Sequence, residues 1–138
     1  MSTLKGKRIL LVDDDKKSSP YLIEDLKDTY LAEVTWLTKA DFVLEALTES
    51  NFDAVLLDIM MPIPDAWNAD DTSKADKGLS TGIILFKMIR SKFAKLPIII
   101  FTAKTDVNFD DQFTKTHRKP EFVSALVKTI IKLLKHEN

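Results

Sequence analysis

The chain contains no cysteine, which excludes a disulfide framework, thiolate catalysis and a cysteine-ligated metal. That suits a reducing compartment, and a cytoplasmic location is expected. Glycine occurs three times in all. None stands directly after the first apolar run, so the glycine-rich phosphate loop of a dinucleotide-binding enzyme is missing. The N-terminal stretch "MSTLKGKRILLVDDD" is charged, and its apolar run is four residues long. That is too short for a secretory leader or a membrane span. Neither sign of charge is in excess: 20 basic and 21 acidic residues leave a net charge of −1. No polybasic face for nucleic acid or membrane is expected. The two histidines, His117 and His136, have no third ligand at metal spacing, and both read as solvated side chains. No internal repeat is visible.

What is present is an ordinary globular balance. The 138 residues are 45% hydrophobic and 30% charged, which fits one domain over residues 1–138 with a true core. Three apolar runs stand out: "RILLVD" (8–13), "DAVLLD" (53–58) and "PIIIFT" (97–102). They lack strict alternation, as strands buried on both faces do. A fourth strand fits 31–37 and a weaker fifth 112–118. Helical spacing marks 18–30, with Ser18 as cap, Pro20 early, and Leu22, Ile23, Leu26 and Tyr30 along one face. It also marks 39–50, where Phe42, Val43, Ala46 and Leu47 align, then 81–92 and 120–137. Trp36 and Phe42 read as packing residues. Strands alternating with helices imply a parallel sheet covered on both faces, a doubly wound α/β three-layer sandwich.

In such sheets ligands bind beyond the carboxyl ends of the strands. Asp13 and Asp14 end the first run and Asp58 ends another. Carboxylates converging at one edge repel unless protonated or neutralised by a cation. With no Cys and no nearby His, an all-oxygen cluster suits a hard ion such as Mg²⁺. Thr102 closes "PIIIFT", and Lys119 closes the fifth strand. Carboxylates, a hydroxyl and one ammonium describe a phosphoryl-transfer site, with a carboxylate as nucleophile. Singly, each residue has a plainer reading: an Asp capping a turn, a Thr favoured in strands, a Lys before a Pro-started helix. Together, each at the end of a strand, they outweigh it.

"LLVDDD" (10–15), "VLLDIMMP" (55–62), "IIIFTA" (98–103) and "KPEF" (119–122) occur in this order. Here the chain resembles the receiver domain of two-component response regulators over nearly its whole length. The resemblance implies five parallel strands in order 2-1-3-4-5. It implies Asp58 as phosphoacceptor, with Thr102 and Lys119 as its catalytic partners. Asp14 would bind the metal directly, Asp13 largely through water, and Asp58 and the Met60 carbonyl would complete an Mg²⁺ (or Mn²⁺) site. Thr102 would hydrogen-bond the phosphoryl group and shift, the small Ala103 would leave it room, and Asp15 would be a solvated loop charge. The phosphodonor would be a histidine kinase or phosphotransfer protein. The domain would be enzyme-like only in its own phosphotransfer and dephosphorylation, a switch rather than a conventional enzyme. Its unknown downstream partner would be a protein, with no direct nucleic-acid or membrane binding.

Two stretches depart from that pattern. Nineteen residues, "IPDAWNADDTSKADKGLST", separate Pro62 from Gly82, so an atypical inserted loop over 63–81 is expected where the family has a few residues. It reads as structureless, a tolerated surface insertion or a lid over Asp58. Between Thr102 and Lys119 stand 16 residues, too few for two loops, a strand and a full helix. The fourth helix is therefore expected to be shortened or absent, since Val107 and Phe109 make no helical stripe. Thr116 stands where receivers usually carry an aromatic switch residue, and Phe113 could replace it only in another register. The output therefore stays open. It is expected through protein–protein binding by a stand-alone receiver, unless the chain is part of a longer one. The alternative is a non-switching, receiver-like interaction module. A hydrolase of the Asp-nucleophile phosphatase type is disfavoured, because Met60 occupies the general-acid position two residues beyond Asp58.

Overall fold

The computed structural model describes residues 3–78, 80–104 and 108–136, with His136 described by its backbone alone. Five parallel strands form one sheet in order β2-β1-β3-β4-β5. They are β1 (Arg8–Val12), β2 (Glu33–Leu37), β3 (Ala54–Leu57), β4 (Ile98–Thr102) and β5 (Thr114–Arg118). Helices α1 (Ser19–Asp28), α2 (Val43–Glu49), α3 (Ala69–Lys74), α4 (Thr81–Lys92) and α5 (Val123–His136) connect or follow them. The three central strands are the three apolar runs, and β3 and β4 are buried at every position.

Successive strand residues point to opposite faces, and the core divides accordingly. Ile9, Leu11, Leu56, Ile99 and Phe101 pack with Leu22 and Leu26 of α1 and Leu126, Val127, Ile130 and Leu133 of α5. Leu10, Val12, Val55, Leu57, Ile98 and Ile100 pack with Val43 and Leu47 of α2 and Leu85, Phe86 and Ile89 of α4. Two helices on each face make the expected three-layer sandwich.

Local departures have local causes. β2 starts at Glu33 rather than 31, because Leu31 takes a left-handed φ of 64° that a strand does not accept. The second helix starts at Val43, which leaves Phe42 outside it and 62% exposed. Phe42 is not a packing residue. Trp36 is partly buried against the α1/α5 side of the core. β5 starts at Thr114, with Gln112 and Phe113 in the turn before it.

The long connection after β3 is present but is not structureless. Asn68 caps α3 through its side chain, which accepts from Asp71 N at 2.8 Å. Asp70 and Asp71 sit in the first turn and Lys74 in the last, as the helix dipole favours. Lys74 pairs with Asp70 at 3.0 Å. Ala75 is fully buried, and Trp67 packs against the α2/α4 side of the core. Asp76, Lys77 and Gly78 then turn through positive φ values of 51°, 55° and 95°. The turn lets Gly78 O accept from Met61 N at 3.0 Å, returning the insert to the segment just beyond β3. Leu79 lies outside the described residues.

Between β4 and β5, none of the described residues is helical. Val107 lies outside them. Phe109 fills part of the space, its ring tilted 45° to that of Phe86 with centroids 5.8 Å apart. Arg90 of α4 ties the region together. It donates to Phe93 O (2.9 Å), Leu96 O (2.7 Å), Phe113 O (3.3 Å) and Thr114 Oγ1 (2.5 Å), and its guanidinium lies over the Phe86 ring. Burial pushes its pKa down and Asp111 partly offsets this, but a guanidinium stays protonated in proteins. Arg90→Ala would leave several half-buried acceptors unpaired, and a loss of about 2–4 kcal/mol is expected in urea unfolding. A loss below about 1 kcal/mol would mean that water replaces the clamp.

Candidate functional site

The register of the sheet assembles the site. Val12 pairs with Leu57 and Leu57 with Ile100, so the residues that follow β1 and β3, Asp13 and Asp58, emerge side by side. Backbone bonds continue the ladder past both strands: Asp58 N donates to Val12 O at 2.9 Å and Asp13 N to Leu37 O at 3.1 Å. On the other side, Thr102 pairs with Arg118 and Lys119 N donates to Thr102 O at 2.8 Å. Lys119 thereby enters from β5 over the end of β4.

The charged groups converge. Lys119 Nζ lies 2.5 Å from Asp13 Oδ2 and 3.4 Å from Asp58 Oδ2. Carboxylate oxygens of Asp13, Asp14 and Asp58 all lie within 4.8 Å of one another. Asp13 and Asp58 are buried, at 2% and 6% exposure, and Asp14 is exposed. Burial pushes the Asp58 pKa up from 3.8 to about 6. Lys119 opposes that, Asp13 adds to it, and the Ile59 N–H and the Thr102 hydroxyl oppose it. The Ile59 N–H donates to Asp58 Oδ1 at 2.7 Å. Burial pulls Lys119 down, but its hydrogen bond to Asp13 and the charges of Asp58 and Asp13 outweigh this and leave it raised. Burial and then Asp13 raise Asp14.

Both oxygens of Asp13 are engaged, Oδ2 by Lys119 and Oδ1 by Asp15 N at 2.9 Å. Asp14 is the member of the pair that faces solvent. Three oxygen donors of one charge, with Lys119 as the ammonium beside them and, among the described residues, no nitrogen or sulfur ligand in the cluster, fit a small hard cation. Met60, partly exposed, follows two residues beyond Asp58. Thr102 is fully buried, and its Oγ1 accepts from Lys104 N at 3.2 Å. Ala103 is exposed beside it.

Gly82 accounts for the closeness of α4. A Cβ there would meet Asp58 O at 2.1 Å and Ile59 Cα at 2.6 Å, and Gly82 N donates to Ile59 O at 2.8 Å. Thr81 Oγ1 donates to Met61 O at 2.5 Å. The segment 58–61 is thus held by the residues with which the insert ends.

Asp15, Ser18 and Trp36 differ from the sequence expectation. Asp15 is not a free loop charge: it accepts from Lys17 N (2.9 Å), Ser18 N (3.1 Å) and the Ser18 hydroxyl, so it organises the turn into α1. Those bonds hold its pKa down at about 2, the Ser18 hydroxyl first among them. Ser18 occupies the cap position of α1, but its hydroxyl serves Asp15 and makes no cap bond. Trp36 carries a polar contact as well as packing. Its Nε1 donates to Asp13 O at 2.8 Å, which no spacing in the sequence announces.

Phe113 cannot stand in for an aromatic at Thr116. Its carbonyl accepts from Ile98 N at 2.9 Å, at the opposite end of β4 from Thr102. The backbone of another aromatic residue reaches that position: Phe109 N donates to Thr116 Oγ1 at 3.4 Å. His117 is not solvated freely either: Nε2 lies 2.8 Å from Thr129 Oγ1 and Nδ1 3.5 Å from Glu121 Oε2. The side chain of His136 lies outside the description.

A cleft of about 810 Å³ opens beside Asp13 and Lys119, between α1 and α5. Leu22, Phe101 and Leu126 form its apolar floor, and Asp15, Asp25 and Glu121 lie among its acidic wall residues. No described residue of the insert lines it. The insert packs toward α4 instead and forms no lid there. No described helix is long and apolar enough to cross a membrane.

No protein-family model matches the chain. It is 31% identical over 137 residues to the transcriptional regulatory protein BaeR of Escherichia coli O6:H1, a match covering 93% of the chain and 49% of BaeR. The chain therefore spans about half the length of that relative. Among solved structures, the response regulator TrrA of Thermotoga maritima, in complex with Mg²⁺-BeF, superposes with a TM-score of 0.69 at 26% identity. That match covers 92% of this chain and 98% of TrrA. The receiver domain of the Francisella response regulator 1452 superposes with a TM-score of 0.71 at 22% identity, covering 96% of this chain and 100% of the other.

Proposed function

Because this chain is a response-regulator receiver domain, we propose that it accepts a phosphoryl group on Asp58 in an Mg²⁺-dependent reaction and passes the change on as altered protein binding. The observation that carries this reading is the geometry around Asp58. A buried carboxylate with a raised pKa lies 3.4 Å from one ammonium and within 4.8 Å of two further carboxylates.

The phosphodonor is a phosphohistidine of a histidine kinase or phosphotransfer protein, the kind of partner with which receiver domains interact. An oxygen of the Asp58 carboxylate attacks phosphorus, an O–P bond forms, the P–N bond breaks, and its electron pair returns to the imidazole nitrogen. A carboxylate removed from water is a better nucleophile than a solvated one, and a pKa of about 6 leaves Asp58 ionised at neutral pH. Asp14, exposed and close by, would hold Mg²⁺ directly, with Asp13 through water and with Asp58 and the Met60 carbonyl. Bound there, the ion would offset part of the charge of the three carboxylates and of the incoming phosphoryl oxygens. Lys119 would move from Asp13 toward a phosphoryl oxygen, and the Thr102 hydroxyl would turn from Lys104 N toward the same group. The cleft between α1 and α5 gives a donor protein a path to this edge. Reversal of the charge balance on hydrolysis would return the switch.

One observation favours the second reading, a module that does not switch. The described residues between β4 and β5 hold no helix, and Thr116 carries no ring. Beryllofluoride with Mg²⁺ separates the two. Amide NMR shifts dependent on Asp58 should spread from residues 58–61 into 102–104 and 108–118. Shifts confined to the site would favour the non-switching module. No shift at all would overturn the phosphoacceptor reading.

A further inference from the structure

In a parallel ladder the carbonyl at the end of a strand needs a donor from its neighbour. Beyond β1 the ladder to β2 continues for one bond, Asp13 N to Leu37 O at 3.1 Å. The following acceptor, Asp13 O, has no backbone donor among the described hydrogen bonds. The Trp36 indole supplies one, from Nε1 at 2.8 Å. Its ring is partly buried against the core cluster between the sheet and α1 and α5, so the donor is held by packing rather than by a flexible stem.

The peptide so fixed is the one joining Asp13 to Asp14. Its plane sets where both Cα–Cβ bonds point, and hence where the two carboxylates stand relative to Asp58. Asp13 is fixed further by Lys119 and by Asp15 N. Asp14 has neither restraint, and its direction depends on the backbone beneath it.

We propose that Trp36 is a positioning residue for the acid pair: by holding the Asp13 carbonyl, it sets the Asp14 carboxylate for a divalent cation. This rests on the metal-dependent reading above and extends it to a side chain that touches neither ion nor phosphoryl group. Partners of this kind orient ligands, and their loss weakens metal binding by about 10–100-fold.

The test is an Mg²⁺ titration followed by amide NMR on wild type, Trp36→Phe and Asp58→Asn. Phe keeps a packed ring and removes the N–H donor. The Trp36→Phe protein is expected to bind Mg²⁺ about tenfold more weakly, with its metal-free spectrum changed at Asp14 and preserved at Asp58. In wild type, the Trp36 indole proton, assigned from its NOEs to neighbouring side chains, should exchange slowly and shift on Mg²⁺ addition. This readout needs no folded variant. Equal Mg²⁺ affinity in wild type and Trp36→Phe would overturn the positioning role while leaving the metal site intact. A fast-exchanging Trp36 indole would overturn it as well. Absence of Mg²⁺ binding in wild type itself would overturn the metal reading, and this proposal with it.

Discussion

Gly82→Ala is expected to destabilise the domain by about 3 kcal/mol or more and to distort the segment that carries Asp58. Overpacking commonly costs about 1–3 kcal/mol, because a side chain can turn aside or a neighbour can shift. Neither escape exists here. The added methyl group has no torsion that moves it, and the atoms it meets are backbone: Asp58 O at 2.1 Å and Ile59 Cα at 2.6 Å. Relief requires α4 to withdraw, which breaks the 2.8 Å bond from Gly82 N to Ile59 O and loosens Leu85, Phe86 and Ile89 from the sheet. Urea unfolding gives the energy, and beryllofluoride binding tests the site. A variant within about 1 kcal/mol of wild type that binds normally would show that α4 is not pinned at this point.

Asp58→Asn acts in the opposite direction. In metal-free buffer at neutral pH it is expected to stabilise the fold by about 1–3 kcal/mol. The Asp58 pKa is raised, so the folded state holds the proton more tightly than the unfolded chain does. The stability this group contributes is complete below its unfolded value of 3.8. It is lost as pH rises through about 6. A rise from 3.8 to about 6 corresponds to about 3 kcal/mol once the group is fully ionised. Asparagine carries no charge to bury, and the Ile59 N–H still finds an acceptor. Unfolding in EDTA across that pH range should show wild type falling relative to the variant, with the two converging in acid. Mg²⁺ should then restore wild type and leave the variant unchanged. If Asp58→Asn is less stable than wild type at neutral pH, Lys119 outweighs burial at this carboxylate and the electrostatic reading is wrong.

The parts legible in the sequence are those with a one-dimensional signature. "RILLVD", "DAVLLD" and "PIIIFT" announce β1, β3 and β4 because strands covered on both faces leave continuous apolar runs. Their final residues announce the site edge because a parallel sheet puts all its carboxyl ends together. The insert reads as loop because α3 is six residues long, too short to show periodicity. It is held by a cap, an ion pair and the return of Gly78 to Met61. Asp15 reads as surplus because its partners are hydrogen bonds inside one turn. Trp36, Arg90 and Phe109 act on carbonyls or rings of other segments, and such pairings leave no spacing to find. Phe42 illustrates the reverse error: its periodicity is right, but the helix begins one residue after it.

The most direct measurement is the intact mass of the protein after incubation with a small acyl phosphate and Mg²⁺, beside Asp58→Asn. Wild type should gain the mass of one phosphoryl group. The gain should disappear with EDTA present during the reaction, and hydroxylamine should remove it as it cleaves acyl phosphates. Asp58→Asn should gain nothing. A phosphoryl group that persists in Asp58→Asn, or a wild-type protein that never acquires one, would contradict the assignment of Asp58 as the phosphoacceptor.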